Sequence, residues 1–154
     1  MVGGFATSRA FGMPDQAIIA TNCTAAQTVL NQIQKADTGS RINRGHSYNE
    51  LLDLMFAMNA RLAVNKIAAP TLTNLASQFE QNLAKFRTDY DAYDNALSNV
   101  LNLKCTNDPI GFYSQLETAR AARVLLNQDV ATLNQNLNDY YTEFDLIIKE
   151  AGRS

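Results

Sequence analysis

Few side chains in this sequence have the types and spacings from which enzymes build catalytic sites. His46 is the only histidine in the chain, which excludes metal sites made of several histidines and argues against Ser-His-Asp and Cys-His catalytic groups. The sequence contains no Glu-x-x-His pair of the kind that holds di-iron centres, no Cys-x-x-Cys and no glycine-rich phosphate loop. We therefore expect a protein that is not an enzyme, with no catalytic residues, no cofactor and no metal ion.

Three basic side chains lie close together in the first third of the chain. Arg41, Arg44 and His46 could contact an anionic group, and they form our candidate partner surface. A polar, solvated turn explains the same residues without any partner, so the alternative stays open.

An acidic segment surrounds two tyrosines later in the chain. On a helix, Asp91 and Asp94 would share one face, and their carboxylate oxygens could bind a divalent cation. We favour a solvated acidic face beside Tyr90 and Tyr93, whose rings would lie in the core with their hydroxyls at its boundary.

Cys23 and Cys105 are the only cysteines, and their positions provide a geometric test. If one continuous helix folds back at Pro70, Cys105 lies opposite about residue 32, roughly 13 Å along the helix from Cys23. A disulfide allows a Cα separation of only about 4.4 to 6.8 Å. A loop at residues 37–46 or an extended chain after Leu103 would reduce the gap. The sequence leaves two alternatives, a Cys23–Cys105 disulfide or two buried free thiols, and we pursue the disulfide.

Composition and apolar periodicity predict the elements that carry these residues. The chain has 154 residues, 46% of them hydrophobic and 18% charged, with a net charge of −2, which is typical of one folded domain and disfavours nucleic acid as a partner. No apolar run is long enough to span a membrane. Residues 1–13 lack periodicity and the features of a secretory signal, and we interpret them as a flexible arm before a single domain at residues 14–151.

The apolar pattern predicts three long helical rods. The first begins at Pro14-Asp15 and follows alternating steps of four and three to about Ala36. Two glycines and several polar seam positions predict a break at residues 37–46, and Ser47 with Glu50 predicts a new helix start by a capping box. The apolar run that follows, to Ile67, should be the most enclosed part of the bundle.

The second and third rods have more regular patterns. The second carries apolar residues at alternating steps of four and three from Leu72 to Val100. The third begins at Asp108-Pro109, where Asp108 caps the helix and Pro109 fits its first turn, and it ends near Gly152. Arg123 is the one charged residue in its seam. We predict an all-α, elongated, antiparallel three-rod bundle with coiled-coil-like packing, counted as three to four helices because of the break.

The order of these features resembles one group of bacterial proteins. From residue 20 onward the chain is similar to secreted helical coiled-coil proteins of candidate-phylum (Patescibacteria-like) bacteria. That resemblance implies a surface or extracellular location and a disulfide, and it supplies no activity. The residues that carry it are Cys23, Arg41-Ile42, Tyr48, Phe86-x-x-Asp89-Tyr90, Cys105, Pro109, Phe112-Tyr113, Leu116 and Ala119-Arg120.

Together these observations favour a non-enzymatic structural or protein-interaction bundle that is secreted or located at the cell surface. Its expected partner is another protein or a second copy, rather than a small-molecule ligand. The alternative is a self-assembling filament, coat or surface-fibre subunit, in which the arm from Phe5 to Met13 packs on a neighbouring copy.

Overall fold

The computed structural model describes residues 14–152, and these form three α-helices and no strand. The helices are α1 (Gln16–Val64), α2 (Pro70–Asn102) and α3 (Pro109–Ala151). At about 1.5 Å per residue, α1 is roughly 74 Å long, so the bundle is elongated. Helix α2 runs antiparallel to both neighbours, which makes α1 and α3 parallel. The predicted all-α bundle is confirmed, whereas the predicted arm at residues 1–13 lies outside the described residues.

Helix α2 is the central element of the bundle, and its predicted seam is confirmed. The apolar side chains at alternating steps of four and three are all buried because α2 packs against both α1 and α3. The buried seam consists of Leu72, Ala76, Phe79, Leu83, Phe86, Tyr90, Tyr93, Leu97 and Val100.

The predicted break at residues 37–46 is wrong, because α1 continues through it without interruption. A Cβ atom at Gly39 or Gly45 would meet nothing within 4 Å, so these glycines lie in an ordinary helix and lower its stability only modestly. The predicted capping box is also wrong. Ser47 lies inside the helix, where its hydroxyl donates to the Asn43 carbonyl at 3.2 Å.

The C-terminal part of α1 is less enclosed than its apolar sequence predicts. Met55 and Leu62 are buried against α2 and α3, but Leu54, Phe56 and Val64 are 47%, 44% and 83% exposed. The helix contacts its neighbours along one face only, so apolar side chains on its other faces remain in solvent. The most enclosed element is α2 instead.

The predicted start of α3 is confirmed. The Asp108 carboxylate accepts a hydrogen bond from the Gly111 N–H at 2.8 Å, and Pro109 occupies the first turn. Gly152 follows the last helical residue, as expected, and its N–H donates to the Ile148 carbonyl at 3.0 Å. Both ends of α3 therefore have defined hydrogen bonds.

Candidate partner-binding groove

An open groove runs between the parallel helices α1 and α3, with α2 as its floor. Helices α1 and α3 contact each other less than either contacts α2, so the space above Tyr90, Tyr93 and Leu97 of α2 stays open to solvent. We call this space the α1–α3 groove. Its two halves differ in chemistry and meet at Arg123, which lines both.

The half of the groove nearer the start of α1 is apolar. It encloses a cavity of about 390 Å³, a size within the range of known ligand sites. Val29 stands on its rim and is 54% exposed, which is a large exposure for a valine beside a concave apolar surface. The apolar lining of this half consists of Ala26, Val29, Leu30, Ile33, Leu97, Leu116 and Ala119.

The other half of the groove carries three guanidinium groups around a smaller cavity of about 170 Å³. Arg123 lies 3.3 Å from the Asp37 carboxylate, and Arg41 lies 2.9 Å from Asp91. Arg44 also lines this cavity, and within residues 14–152 it makes no ion pair. Arg41 and Arg123 are thus paired with carboxylates, whereas Arg44 of this cationic half has no carboxylate partner among the described residues.

Asp37 and Tyr93 mark the boundary between the two halves. The Tyr93 hydroxyl donates to the Asp37 carboxylate at 2.6 Å, while the same carboxylate pairs with Arg123 from the opposite wall. Burial, followed by this hydrogen bond, raises the pKa of Tyr93 above its ordinary value. The phenol therefore remains a neutral donor at physiological pH, and the three side chains join all three helices.

Tyr90 forms part of the floor of the cationic half. The guanidinium carbon of Arg41 lies 4.6 Å from the centre of its ring, a favourable cation–π distance. Its hydroxyl is buried and makes no hydrogen bond of normal geometry to a described residue, although Thr38 is close enough to affect it. Burial raises the pKa of this tyrosine. The rings of Tyr90 and Tyr93 thus lie in the core, as predicted, but the Tyr90 hydroxyl is buried rather than at the boundary with water.

The structure divides the predicted basic cluster. Arg41 and Arg44 share one face of α1 and line the cationic half of the groove. His46 does not line the groove; it lies beside Asn49 and Arg87 in a shallow depression that Arg41 also lines. All three residues belong to a helix, so the alternative of a polar turn is wrong. Sequence reasoning missed Asp37 and Ser40 as groove residues because their polar side chains at seam positions were interpreted as a helix break.

Cys23 and Cys105 lie at disulfide-bonding distance, as predicted, with an S–S separation of 2.10 Å and a Cα–Cα separation of 5.8 Å. Helix α1 ends at Val64, before the expected turn, and the contacts Arg41–Asp91 and Asn59–Leu72 show that α1 and α2 mirror about residue 66. Cys105 therefore lies opposite about residue 27, and the expected gap shrinks to roughly 6 Å. The extended backbone at Leu103 closes the remainder. Both cysteines are buried beside Val100 and Phe112.

Gln27 supports this end of the bundle by capping the end of α2. Its side-chain amide lies 3.2, 3.4 and 2.8 Å from the carbonyl oxygens of Val100, Leu101 and Leu103. The last carbonyls of a helix have no partner within the helix, and Gln27 supplies one from α1. The sequence gives no local signal for this contact, because it joins residues more than 70 positions apart.

The acidic side chains near Tyr90 and Tyr93 pair with other side chains of the protein rather than being grouped around a metal site. Asp91 pairs with Arg41, and Asp94 accepts a hydrogen bond from the Gln34 amide at 3.1 Å. Between residues 14 and 152, no three His, Cys, Asp or Glu side chains are grouped so that they could hold a metal ion. Over the same residues, none of the three helices has the length and apolar character needed to cross a membrane.

Comparison with protein families, curated proteins and solved structures found no match for this chain. The resemblance to secreted helical proteins therefore stays a prediction. The assignment of the groove as a binding site therefore depends on its lining alone, a concave apolar surface beside a cationic one. Such a surface can bind a partner that has apolar and anionic groups side by side.

Proposed function

We propose that this chain is a non-enzymatic binding protein that receives a segment of a protein partner in the α1–α3 groove. The observation that carries the proposal is the apolar lining around the exposed Val29 and the half-buried Leu30, which meets the cationic half of the groove at Arg123. Burial of apolar surface would supply most of the binding free energy. The charges would favour one partner over others.

A macromolecular partner fits the shape of the groove better than a small molecule. The α1 wall extends from Ala26 to Arg44, about 27 Å along the helix. The groove is open along its length rather than closed around one compartment, and drug-sized ligands are generally buried over most of their surface. A polypeptide can cover the whole length and leave its outer side in solvent.

We further propose that the protein acts outside reducing compartments, at the cell surface or in the extracellular medium. The Cys23–Cys105 pair supports this location, because disulfides persist mainly in oxidising environments. The bond would join α1 to the connection between α2 and α3. It would therefore fix the distance between the first turns of α1 and the start of α3, which lie at the same end of the groove.

Site-specific photo-crosslinking tests the proposed function. A photoreactive amino acid is placed at Val29, on the groove rim, or at Leu125, which is 49% exposed but does not line the groove. Each protein is incubated with extract and culture medium of the source cells and irradiated. We expect a discrete crosslinked protein from position 29 and none from position 125. Equal crosslinking from both positions, or none from position 29, would contradict the proposal.

The same experiment addresses the self-assembling alternative. That alternative assigns association to the arm at Phe5 to Met13, which lies outside the described residues. A crosslink from position 29 to a second copy of the chain, lost when residues 1–13 are deleted, would favour a filament or coat subunit. A crosslink to a different protein would favour the binding role.

A further inference from the structure

We infer that the α1–α3 groove takes an amphipathic α-helix of the protein partner, with acidic side chains at the end that meets Arg41, Arg44 and Arg123. The inference rests on the proposed function and specifies the conformation and charge of the partner segment. With this helix in place, the three-helix bundle becomes a four-helix arrangement in which α1 and α3 are both covered on their groove sides.

The spacing of the apolar residues on both walls suits a helix. On α1, Ala26, Val29, Leu30 and Ile33 follow the steps of one helical face, and on α3 Leu116 and Ala119 do the same at the same level. Ridges from an incoming helix can pack between such rows. An extended strand would leave its backbone N–H and C=O groups unpaired, because neither helical wall offers a free sheet edge.

The length of the groove sets the length of the partner helix. The α1 wall from Ala26 to Arg44 corresponds to about five helical turns, so a helix of about 18 residues would cover it. About half of that helix would contact the apolar half of the groove. The remaining turns would lie beside the guanidinium groups of Arg41, Arg44 and Arg123. Arg120, in the apolar half, already pairs with Glu117, so acidic residues are expected at one end only.

The charge balance of the cationic half selects acidic residues. Asp37 and Asp91 each neutralise one guanidinium, and Arg44 has no carboxylate partner among the described residues. One acidic side chain near Arg44 would complete the balance, and a basic one would add repulsion. Arg123 is exposed enough on the rim to contact a second carboxylate while it remains near Asp37. We therefore expect one or two acidic residues rather than a highly charged segment.

A displayed library of helical peptides tests this inference on the full chain. Each peptide has about 18 residues with apolar positions at helical spacing, and its other positions vary among Glu, Lys and Gln. Selection for binding to the wild-type protein should enrich Glu in the two helical turns at one end of the peptide, the end that lies beside the guanidinium groups. The best peptide is then synthesised, and its affinity is measured by fluorescence anisotropy for wild type, Arg44→Glu, Arg87→Glu and Val29→Arg.

The expected result is a loss of affinity of roughly fivefold or more for Arg44→Glu and Val29→Arg. Arg87→Glu serves as the control, because it makes the same charge change at an arginine outside the groove, and it should leave affinity unchanged. Enrichment without an acidic bias, or equal affinity for wild type and Arg44→Glu, would overturn the inference. If the inference is overturned in this way but Val29→Arg still abolishes peptide binding, the groove remains the proposed binding site. If no selected peptide depends on Val29, and position 29 also yields no crosslink, the inference and the proposed function both fail.

Discussion

The Arg123 guanidinium and the Asp37 carboxylate face each other at 3.3 Å across the groove between α1 and α3. Both residues occupy seam positions, where a closed bundle would have apolar side chains. Asp37 also accepts the hydrogen bond of the Tyr93 hydroxyl. These contacts satisfy the polar groups without closing the space above them, so the bundle remains folded while the groove stays open.

Removal of the Asp37 carboxylate should therefore destabilise the fold. In Asp37→Ala the buried Tyr93 hydroxyl loses its partner, and we expect the free energy of unfolding to fall by about 1 to 3 kcal/mol. Urea denaturation measures this change. Asp91→Ala is the control, because its ion pair with Arg41 is solvent-exposed and should contribute less than about 1 kcal/mol. Equal losses in both variants would show that Tyr93 does not depend on Asp37.

Regular apolar spacing made α2 and the start of α3 predictable, whereas the groove was not. The polar residues Asp37, Ser40 and Arg44 predict a helix break, and Arg123 is a single charged residue in an otherwise apolar seam. Polar seam positions at the same level of two parallel helices are instead a signal for an open groove, but the level becomes known only when the turn between α1 and α2 is fixed. Helix α1 ends at Val64, three residues before the end at Ile67 that the apolar run predicts, whereas α2 begins at Pro70 as expected.

Alanine substitutions test whether α1 is continuous through residues 37–46. Because the sites are open and helical, Gly39→Ala and Gly45→Ala should each raise the free energy of unfolding by about 0.5 to 1 kcal/mol. Gly111→Ala is the contrasting variant, since its Cβ would clash with a carboxylate oxygen of Asp108. It should lower stability by about 1 kcal/mol through the displaced cap. Destabilisation by the first two variants would argue for a loop in this segment.

The buried Tyr140 should make the protein less stable at alkaline pH. Burial raises the pKa of Tyr140 from 10.0 to about 12, so above pH 10 the unfolded chain releases this proton before the folded chain does, and unfolding becomes more favourable. The stability that the neutral Tyr140 phenol contributes below pH 10 should decline as the pH rises toward 12. In Tyr140→Phe this decline, followed by urea denaturation at a series of pH values, should be shallower. Tyr141→Phe, at an exposed position, should retain most of the wild-type slope, because the nearby Tyr141 makes only the smaller contribution to the raised pKa of Tyr140. An unchanged slope in Tyr140→Phe would contradict the prediction.

The Cys23–Cys105 pair should be oxidised in the protein as isolated under non-reducing conditions. The sequence separation of 82 residues corresponds to a stabilisation of about 4 to 5 kcal/mol in the loop-entropy description, and the Cys23→Ser, Cys105→Ser double variant should lose most of it. Alkylation of the denatured but unreduced protein, followed by mass spectrometry, measures the thiols. No modification without reductant and two modifications with it are expected, and two modifications without reductant would contradict the bond.

The most direct test of the central claim compares two exposed apolar residues of similar accessibility. Val29 lies in the groove and Leu125 outside it, at 54% and 49% exposure, so Val29→Arg and Leu125→Arg should both fold as wild type by circular dichroism. The measurement is the amount of partner protein captured by each tagged chain, quantified by mass spectrometry. We predict that Val29→Arg captures at least about tenfold less than wild type, as expected for a charge placed in an apolar interface, while Leu125→Arg captures the wild-type amount. Equal capture by Val29→Arg and wild type would contradict the assignment of the groove as the binding site.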